Sequence, residues 1–482
     1  MMNEHAMESI QLHMSALTDG GYDAVRKAVE SLLAEVGFVV NNQAIRRAFH
    51  EAGGHVDEDR KLVKLPAALL WELVQKTPRS YRLSGVNGDI YEVGGGDIYK
   101  AAIVTDPFIA DYPSGAMRKP RLCDVIRNTR IIQSQADVCQ VSLMDYPVED
   151  VSGPASRYRA MEAHLLNHAK PYSVYPTSYE SFMEWLEIGH ILTGGLLKAS
   201  GLFTVAIAVL SPLTLTSGNC DILLKSLQYG FPVIPTTCPM AGSTSPYTFA
   251  GTLVQGIAES LIVLCSAQVM RPGNPVLSSF GASVTEMSNG RDLYYTVDKA
   301  LWKMSAAAFA KRLGLPFAVE VGGALNCRHD MQSGAEGMLM ALTALMSGAD
   351  VLAGSGSCLN ANGVSAEFIL SHYAFLDAAR HLKMGYSLSD MDRSLNSIRE
   401  QGCGGNFLMD DVTMERLRDS EFFSSPLFDE AGEAGEGKPM LERAHEEARR
   451  IDEGFRSPLP EKVAAALREH FDKVCAGCQP AG

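Results

Sequence analysis

The sequence lacks an excess of positive charge. Its 42 lysine and arginine residues are outnumbered by 56 aspartate and glutamate residues, and the formal net charge is −14. Proteins that bind nucleic acid usually carry a basic excess or a basic patch, so this balance argues against a nucleic-acid partner. The acidic surplus is typical of a soluble protein and favours cationic ligands.

Segments that would direct the chain into or across a membrane are also missing. The first residues, MMNEHAMESIQLHMS, contain neither a basic stretch nor the apolar run of a signal peptide. The two most apolar stretches, 199–215 and 253–270, are interrupted by polar side chains or proline and are typical of buried elements. We therefore expect a cytoplasmic protein with no membrane partner.

Cysteine pairs and phosphate-binding loops are scarce or absent. The ten cysteines are scattered singly, except for Cys475 and Cys478 near the end of the chain. One CxxC without a second pair or a nearby histidine is a weak sign of a metal or redox site, so we expect free thiols and no metal. No GxxxxGK[ST] sequence occurs and no GxGxxG opens a helix, which argues against an evident nucleotide site.

What the sequence does contain is a regular alternation of short apolar strands and longer helical stretches. An apolar content of 46% and a charged content of 20% are ordinary for a globular protein with a large core. The strand candidates recur at roughly 30 to 40 residues, the spacing that a strand and a crossover helix require. They are 100–106, 139–145, 172–176, 203–210, 232–237, 275–280, 317–321 and 350–355. Eight such units predict an α/β protein with a (β/α)8 TIM barrel.

The segments on either side of the predicted barrel have a different pattern. Residues 1–98 predict a mainly helical extension, because YDAVRKAVESLLAEVGFVV has apolar residues at helical spacing. The barrel is predicted to occupy 99–384. Residues 385–482 predict a helical segment packed on the barrel, with an acidic, glycine-rich surface loop at 430–437.

Small residues are concentrated after the predicted strands five to eight. CPMAGSTSPYTFAG (238–251) follows strand five, and similar glycine-rich runs follow the next three strands. The active face of a (β/α)8 barrel is where its strands end, and small side chains let a ligand approach the backbone. We therefore expect a large or flat ligand to meet these loops. The residues expected to face it are Gly242, Ser243, Gly281, Gly354 and Gly356.

Several motifs resemble those of the trimethylamine:corrinoid methyltransferase superfamily. They are the SPLTL segment, the PMAG-T-P-T-AG loop, the RPGNPV turn, SGAMRKPRLCDVIR and GGNFLMDDVTMERLR, and the likeness covers nearly the whole chain. Many members carry histidines where this chain has Asp410 and Val412. No pyrrolysine occurs here, so the chain is similar to the branch that demethylates quaternary amines such as glycine betaine, proline betaine or carnitine.

The resemblance implies transfer of one methyl group to the Co(I) of a separate, cognate corrinoid protein. The chain itself would hold no permanent cofactor, and the corrin ring would be the flat ligand at the loops. We also expect a homo-oligomer. Two alternatives stay open: a non-catalytic barrel that binds methylated amines, and a corrinoid methyltransferase for a tertiary amine or another methyl donor.

The chemistry of a quaternary ammonium directs the choice of candidate residues. This cation donates no ordinary hydrogen bond and is held by aromatic faces, at roughly 0.5–2 kcal/mol per good contact, and by negative charge. The substrate-binding candidates near strand ends are Tyr146, Tyr175, Tyr247, Phe280 and Glu320. Arg328, after strand seven, is the candidate partner of a betaine carboxylate. The leaving amine is neutral and needs no proton, so no catalytic residue is assigned.

Four other residues favour structural roles. His164 and His168 lie four residues apart on one helical face without further ligands, which is typical of a packing pair. Cys327 and Cys358 follow predicted strands, but methyl transfer to cobalt needs no thiol. We interpret both as small loop residues.

Overall fold

Eight parallel strands lie at the centre of the computed structural model, which describes residues 9–10, 12–144, 146–326, 328–419, 421–430 and 437–478. Each strand overlaps a segment predicted from the sequence, so the eight strand predictions are confirmed. In chain order they are β1 (Tyr99–Ile103), β2 (Val138–Ser142), β3 (Tyr172–Val174), β4 (Phe203–Ala208), β5 (Val233–Thr236), β6 (Ser278–Ser279), β7 (Phe317–Glu320) and β8 (Val351–Ala353).

The strands form a nearly closed barrel. Their hydrogen-bonded order is β5-β4-β3-β2-β1-β8-β7-β6, and all of these pairs are parallel. An isolated parallel bridge between Val233 and Val276 joins β5 to the residues just before β6. The sheet therefore returns on itself, and the predicted (β/α)8 barrel is confirmed.

A helix follows each strand and covers the outside of the barrel. The helices are α1 (Leu122–Gln133), α2 (Ala155–Leu165), α3 (Tyr179–Leu192), α4 (Ser217–Tyr229), α5 (Phe249–Met270), α6 (Asp298–Arg312), α7 (Met331–Met346) and α8 (Ala366–Met384). Of the described helices, α5 alone is long and apolar enough to cross a membrane, and 83% of its most apolar window is buried. That burial is typical of a core helix.

Side chains alternate between the two faces of the barrel strands. Val205 and Ile207 point outward and pack under the helices, whereas Ala206 points inward with its counterparts on the other strands. The inner cluster also contains Tyr81 and Leu83 of an antiparallel hairpin, Tyr81–Ser84 with Ile90–Val93. Among the described residues, the hairpin therefore covers the amino-terminal end of the barrel.

The residues before the barrel contain both helices and short strands. The helices are Asp19–Ser31, the π-helical turn Leu32–Val36, Gln43–Glu51 and Ala67–Gln75. The strands Phe38–Val40, Leu62–Lys64 and His55–Asp57 form a small sheet with Thr214–Leu215, which follows β4. This sheet joins the N-terminal residues to the barrel loops, a long-range pairing that no local pattern in the sequence predicts.

The C-terminal residues contribute four described helices, Met391–Gln401, Asp411–Arg418, Met440–Glu453 and Glu461–Gly477. Met440–Glu453 packs against α8 and α1, and Glu461–Gly477 packs against α2 and α3. In the acidic loop predicted at 430–437, residues 431–436 lie outside the described residues. Ser9–Ile10 pairs with Tyr386–Ser387. The exact division into 1–98, 99–384 and 385–482 stays a prediction.

Short strands join the loops at the carboxyl end of the barrel in pairs. Met240–Ala241, after β5, pairs with Ser283–Glu286, after β6, which pairs in turn with Arg291–Leu293. A second small sheet combines Phe108–Asp111 and Ala116–Arg118, after β1, with Ser357–Cys358 and Gly363–Val364, after β8. These two sheets frame the open end of the barrel.

Candidate functional site

The loop after β5, which is rich in small residues, is an ordered turn followed by a helix cap. The Met240 carbonyl oxygen accepts hydrogen bonds from the backbone N–H groups of Ser243, Thr244 and Ser245, each at 3.0 Å. The Thr248 side chain accepts from the Gly251 N–H and begins α5. Many of the small residues therefore form the turn and the helix cap of the loop. The sequence analysis had assigned them only to ligand access.

Gly242 lies beneath exposed side chains on the rim of the barrel. Its φ is +93°, and a Cβ there would come within 2.7 Å of the Tyr247 ring and 2.9 Å of the Met287 sulfur. Tyr247 is 63% exposed and Met287 is 65% exposed, and Ser243 is exposed beside them. At the rim of the barrel beside β5 and β6, apolar side chains thus lie directly over the backbone of Gly242, which has no side chain.

The other three glycines of the predicted ligand-facing set lie deeper. A Cβ on Gly281 would come 2.6 Å from the Thr237 carbonyl oxygen and 3.1 Å from the Tyr294 hydroxyl. Gly354 is buried, with the Tyr295 hydroxyl 3.8 Å from the position of its Cβ. Gly356 is buried against Ile369 of α8. Gly281 therefore makes room for the Thr237 carbonyl and the Tyr294 hydroxyl, and Gly354 and Gly356 are buried instead of forming an open rim.

Glu320 is the centre of a hydrogen-bonded cluster at the mouth. It follows the inward-facing Ala318 by two residues at the end of β7, so its side chain also points into the barrel. Its Oε1 accepts a hydrogen bond of 2.6 Å from the Tyr294 hydroxyl, and its Oε2 lies 2.7 Å from the Lys299 Nζ. One carboxylate thus holds a tyrosine and a lysine from the segment that leads into α6.

Lys299 carries a buried ammonium group. It lies in the first turn of α6, its side chain is 1% exposed, and its Nζ is 2.9 Å from the centre of the Tyr294 ring. Burial lowers the pKa of Lys299, while the negative charge of Glu320 raises it in compensation. The positive charge is therefore neutralised by Glu320 and covered by an aromatic face.

Three further tyrosines lie within electrostatic range of Glu320 or of Asp106, a second acid at the mouth. Tyr295 packs edge-on against Tyr294, with ring centres 5.0 Å apart. Burial raises the pKa of Tyr295, and the charges of Glu320 and Asp106 add to that rise. The charge of Glu320 also reaches Tyr175, and that of Asp106 reaches Tyr146, where each adds to the effect of burial on the tyrosine pKa. Four aromatic rings from three loops, those after β2, β3 and β6, therefore lie within electrostatic range of two carboxyl groups.

Asp106, at the end of the β1 segment, is the second of these carboxyl groups. It is 8% exposed, and no side chain among the described residues donates a hydrogen bond to it or forms an ion pair with it. Burial raises its pKa to about 7. A buried acid without a partner destabilises a fold, and such groups are concentrated at functional sites.

Cys238, after β5, lies beside the Glu320 cluster. The residue is exposed. Burial of the thiol raises its pKa to about 11, with opposing contributions from Lys299 and Glu320.

Two residues predicted for substrate binding are placed away from the tyrosine cluster. Phe280 is buried between the barrel and the outer helices, with its ring against Gly256 of α5, and it lines a small cavity with Ile257 and Phe309. Arg328 is exposed on the loop after β7, and its Nε lies 3.2 Å from Asp330 Oδ2. Tyr247 lies on the rim, whereas Tyr146, Tyr175 and Glu320 are brought together at the mouth.

The sequence analysis missed Asp106, Tyr294, Tyr295 and Lys299. Asp106 was visible as an acid at the end of the first predicted strand. The two tyrosines stand in RDLYYTVDK, between a predicted strand and its helix. No local signal assigned them to the mouth, because the loop after β6 reaches it by way of the β-sheet formed with Met240–Ala241.

The remaining candidates have local structural partners. His164 and His168 are buried with their Nε2 atoms 3.1 Å apart, and the Thr129 hydroxyl lies 3.2 Å from His164 Nδ1. Cys358 is buried, and Cys327 lies outside the described residues. Asp410 accepts from the Val412 N–H at 2.9 Å and caps the helix Asp411–Arg418. The described part of the chain contains no group of three or more His, Cys, Asp or Glu side chains arranged as metal ligands.

Comparisons with known proteins agree over almost the full chain. The family described as trimethylamine methyltransferase (MTTB) matches residues 2–477. The trimethylamine methyltransferase MttB of Desulfitobacterium hafniense is 26% identical over 96% of this chain and 94% of its own length. A glycine betaine methyltransferase of D. hafniense is 25% identical over 94% of this chain and 95% of its own length.

One solved structure supports the fold. The monomethylamine methyltransferase (MtmB) of Methanosarcina barkeri superposes with a TM-score of 0.52 over 95% of this chain and 89% of that chain. Its sequence identity is 12%, so the likeness concerns the fold alone. The barrel and its surrounding helices are thus shared with a protein of that description.

Proposed function

This chain belongs to the trimethylamine methyltransferase (MTTB) family, and we propose that it transfers a methyl group from a quaternary amine to the Co(I) of a cognate corrinoid protein. The cluster of tyrosines around two carboxyl groups carries the proposal, because it offers what a methylated ammonium needs. The relative named glycine betaine methyltransferase favours a quaternary substrate.

The tyrosine cluster suits a cation that cannot donate hydrogen bonds. Aromatic faces attract such a cation at roughly 0.5–2 kcal/mol each, and the attraction is strongest where water is excluded. Tyr146, Tyr175 and Tyr294 are each partly buried, and the Lys299 ammonium already lies over the Tyr294 ring. Nearby negative charge adds to the attraction.

The reaction does not require these residues to donate or accept a proton. The carbon–nitrogen bond breaks as the new carbon–cobalt bond forms, and the electron pair stays on nitrogen, which leaves as a neutral amine. No proton is gained or lost. The protein must strip water from the cation and aim one methyl group outward, which is catalysis by orientation and desolvation.

The corrinoid acceptor has to approach from the open end of the barrel. We assign its docking to the β5–β6 rim, defined as Tyr247, Phe249, Met287, Val297 and Leu301. These five apolar side chains are between 41% and 65% exposed. They adjoin the mouth, and exposed apolar groups that cluster on one surface are typical of a partner interface.

Gly242→Val is expected to block methyl transfer and leave amine binding unchanged. The valine would push Tyr247 and Met287 away from the backbone and alter the rim, while Glu320 and its tyrosines stay in place. We expect more than a tenfold loss of transfer rate and a less than twofold change in the amine dissociation constant, measured by calorimetry. Gly194→Val is the matched control, since its φ is +60° and its surroundings are open. Equal losses in binding and transfer would contradict docking at this rim.

Arg328→Lys is expected to change the affinity for glycine betaine by less than twofold. The guanidinium is engaged by Asp330, and an exposed ion pair of this kind contributes about 0–1 kcal/mol. Titration calorimetry with glycine betaine and choline measures both affinities. A selective loss for glycine betaine would instead restore Arg328 as the partner of the substrate carboxylate.

We also propose a cytoplasmic homo-oligomer. Free thiols in the described cysteines other than Cys358 support a reducing compartment. The helices Met391–Gln401 and Asp411–Arg418 expose Met391, Ile398 and Leu417, which supports contact with a second copy. A monomer in sedimentation velocity at micromolar concentration would contradict the oligomer.

The proposed function is tested by mixing the protein with a reduced corrinoid protein and a panel of quaternary and tertiary amines. Loss of the Co(I) absorbance with a quaternary amine is the expected result. Turnover restricted to tertiary amines would correct the substrate class. Amine binding without transfer, using a corrinoid protein that another methyltransferase can methylate, would favour a binding protein.

A further inference from the structure

Some charged groups at the mouth have an ion-pair or hydrogen-bond partner and others do not. Lys299 is neutralised by Glu320, and the Lys303 Nζ donates to the carbonyl oxygens of Glu320 and Met340 at 2.9 Å each. Arg328 is paired with Asp330. Asp106 is 8% exposed, and no described side chain forms a hydrogen bond or an ion pair with its carboxyl group. Asp292 Oδ1, in the loop after β6, is likewise buried without a hydrogen-bond partner.

We propose that Asp106 is the counter-ion of the substrate's ammonium group and that the site selects a quaternary ammonium without a carboxylate. The proposal rests on the function proposed above and specifies the substrate class of the same site. Glu320 and Lys299 cancel each other, so the ionised Asp106 supplies a negative charge that no ion pair among the described residues offsets. That charge matches a substrate with one net positive charge and disfavours a zwitterion.

The placement of Asp106 supports this role. It is buried at the carboxyl end of the barrel, on the same side as Tyr146 and Tyr295, and its charge acts on both tyrosines. An ammonium between these rings would lie beside the carboxylate and replace the water that it lost on burial. A betaine carboxylate at the same place would meet the Asp106 charge, because the two lysines and Arg328 are already engaged.

Protonation of Asp106 should weaken binding of the cation. Its pKa is raised to about 7 by burial. The groups that face it are Tyr146 and Tyr295, whose pKa values are raised, so both rings stay neutral below pH 9. Glu320 is held by Lys299. Burial lowers the pKa of Lys303 to about 7, and its ammonium is bonded to the backbone oxygens of Glu320 and Met340. Between pH 8 and pH 6 the ionised fraction of Asp106 falls from about nine-tenths to about one-tenth.

The test is titration calorimetry of the full-length protein with tetramethylammonium, choline and glycine betaine. At pH 8 we expect the two carboxylate-free cations to bind at least tenfold more tightly than glycine betaine. Their affinity should fall about tenfold from pH 8 to pH 6. Asp106→Asn should weaken both cations at least tenfold and remove most of the pH dependence, leaving only the part that Lys303 contributes. Asp89→Asn, which neutralises an exposed acid on the amino-terminal hairpin, should change neither affinity more than twofold.

The outcomes separate this inference from the proposed function. Tighter binding and demethylation of glycine betaine than of choline would overturn the inference and leave the proposed function standing. Absence of both binding and methyl transfer for every quaternary amine would overturn both. The comparison of ligands and of pH in the unmodified protein needs no variant, so a folding defect in Asp106→Asn would not obscure the result. Unchanged cation affinity in a folded Asp106→Asn protein would also overturn the inference.

Discussion

Lys299→Met is expected to lower the free energy of unfolding by about 3 kcal/mol, because it leaves Glu320 with an uncompensated charge inside the protein. Removing one partner of a buried ion pair typically costs about 3–5 kcal/mol. The lower end applies here, since the Glu320 side chain is 25% exposed and keeps some hydration. Urea unfolding monitored by circular dichroism measures the change.

The double variant Lys299→Met, Glu320→Gln separates charge from packing. It removes both charges and keeps a side-chain oxygen that can accept the Tyr294 hydroxyl. We expect it to recover most of the stability lost in Lys299→Met, so the two changes should be strongly non-additive. A single-variant loss below about 1 kcal/mol, or losses that simply add, would contradict an ion pair at the centre of the site.

Gly323→Ala is expected to reduce methyl transfer by about 100-fold and to weaken amine binding. Gly323 follows β7 with a φ of +136°, and a Cβ at this position would overlap the Tyr295 ring. The ring would have to move away from Tyr294 and Asp106. Misplacing a substrate-orienting group by about 1 Å is enough to cost about two orders of magnitude in rate.

The matched control for this variant is Gly273→Ala. Gly273 has a φ of +83° and open space around the position of its Cβ, so the alanine there brings backbone strain without a clash. Its transfer rate should stay within about threefold of the parent at a temperature where both variants are folded. Equal rates for the two variants, measured by loss of Co(I) absorbance, would mean that Tyr295 is not part of the site.

The barrel itself was predictable because each of its units leaves a local pattern. Strands that are buried on both faces appear as short apolar runs, and the spacing between them fits one crossover helix. The same alternation could have corrected the interpretation of Phe280. Leu277 belongs to the inner cluster and Val276 to the outer one, so Phe280 falls on the outer face by period-two counting.

The tyrosine cluster was only half predictable, since its members reach the mouth in different ways. Tyr175 and Glu320 stand at or beside strand ends, and the strand pattern in the sequence predicts that such residues lie at the carboxyl end of the barrel. Tyr294 and Tyr295 depend on a loop that folds back onto the neighbouring loop. Asn360, in the loop after β8, accepts a hydrogen bond of 2.6 Å from the Tyr294 N–H and holds that loop in place.

Charge partnership was the other property that the sequence could not provide. Its place after β7 made Arg328 a suitable partner for a substrate carboxylate. In the structure Arg328 instead forms an ion pair with Asp330, two residues further along the chain. Asp106 gave no sign of being unpaired, because a missing partner is visible only when the surrounding side chains are in place. Once the fold is known, Asp106 replaces Arg328 as the charged residue that we expect to contact the substrate.

The most direct test of the account is a single-turnover reaction with an amine whose methyl groups on nitrogen carry deuterium. Choline labelled in this way is mixed with the protein and a reduced corrinoid protein, and mass spectrometry follows the label. We predict one intact CD3 group on the corrinoid for each dimethylamino product formed. Label that stays entirely on the amine, for choline and for every other quaternary amine supplied, would contradict methyl transfer at this site.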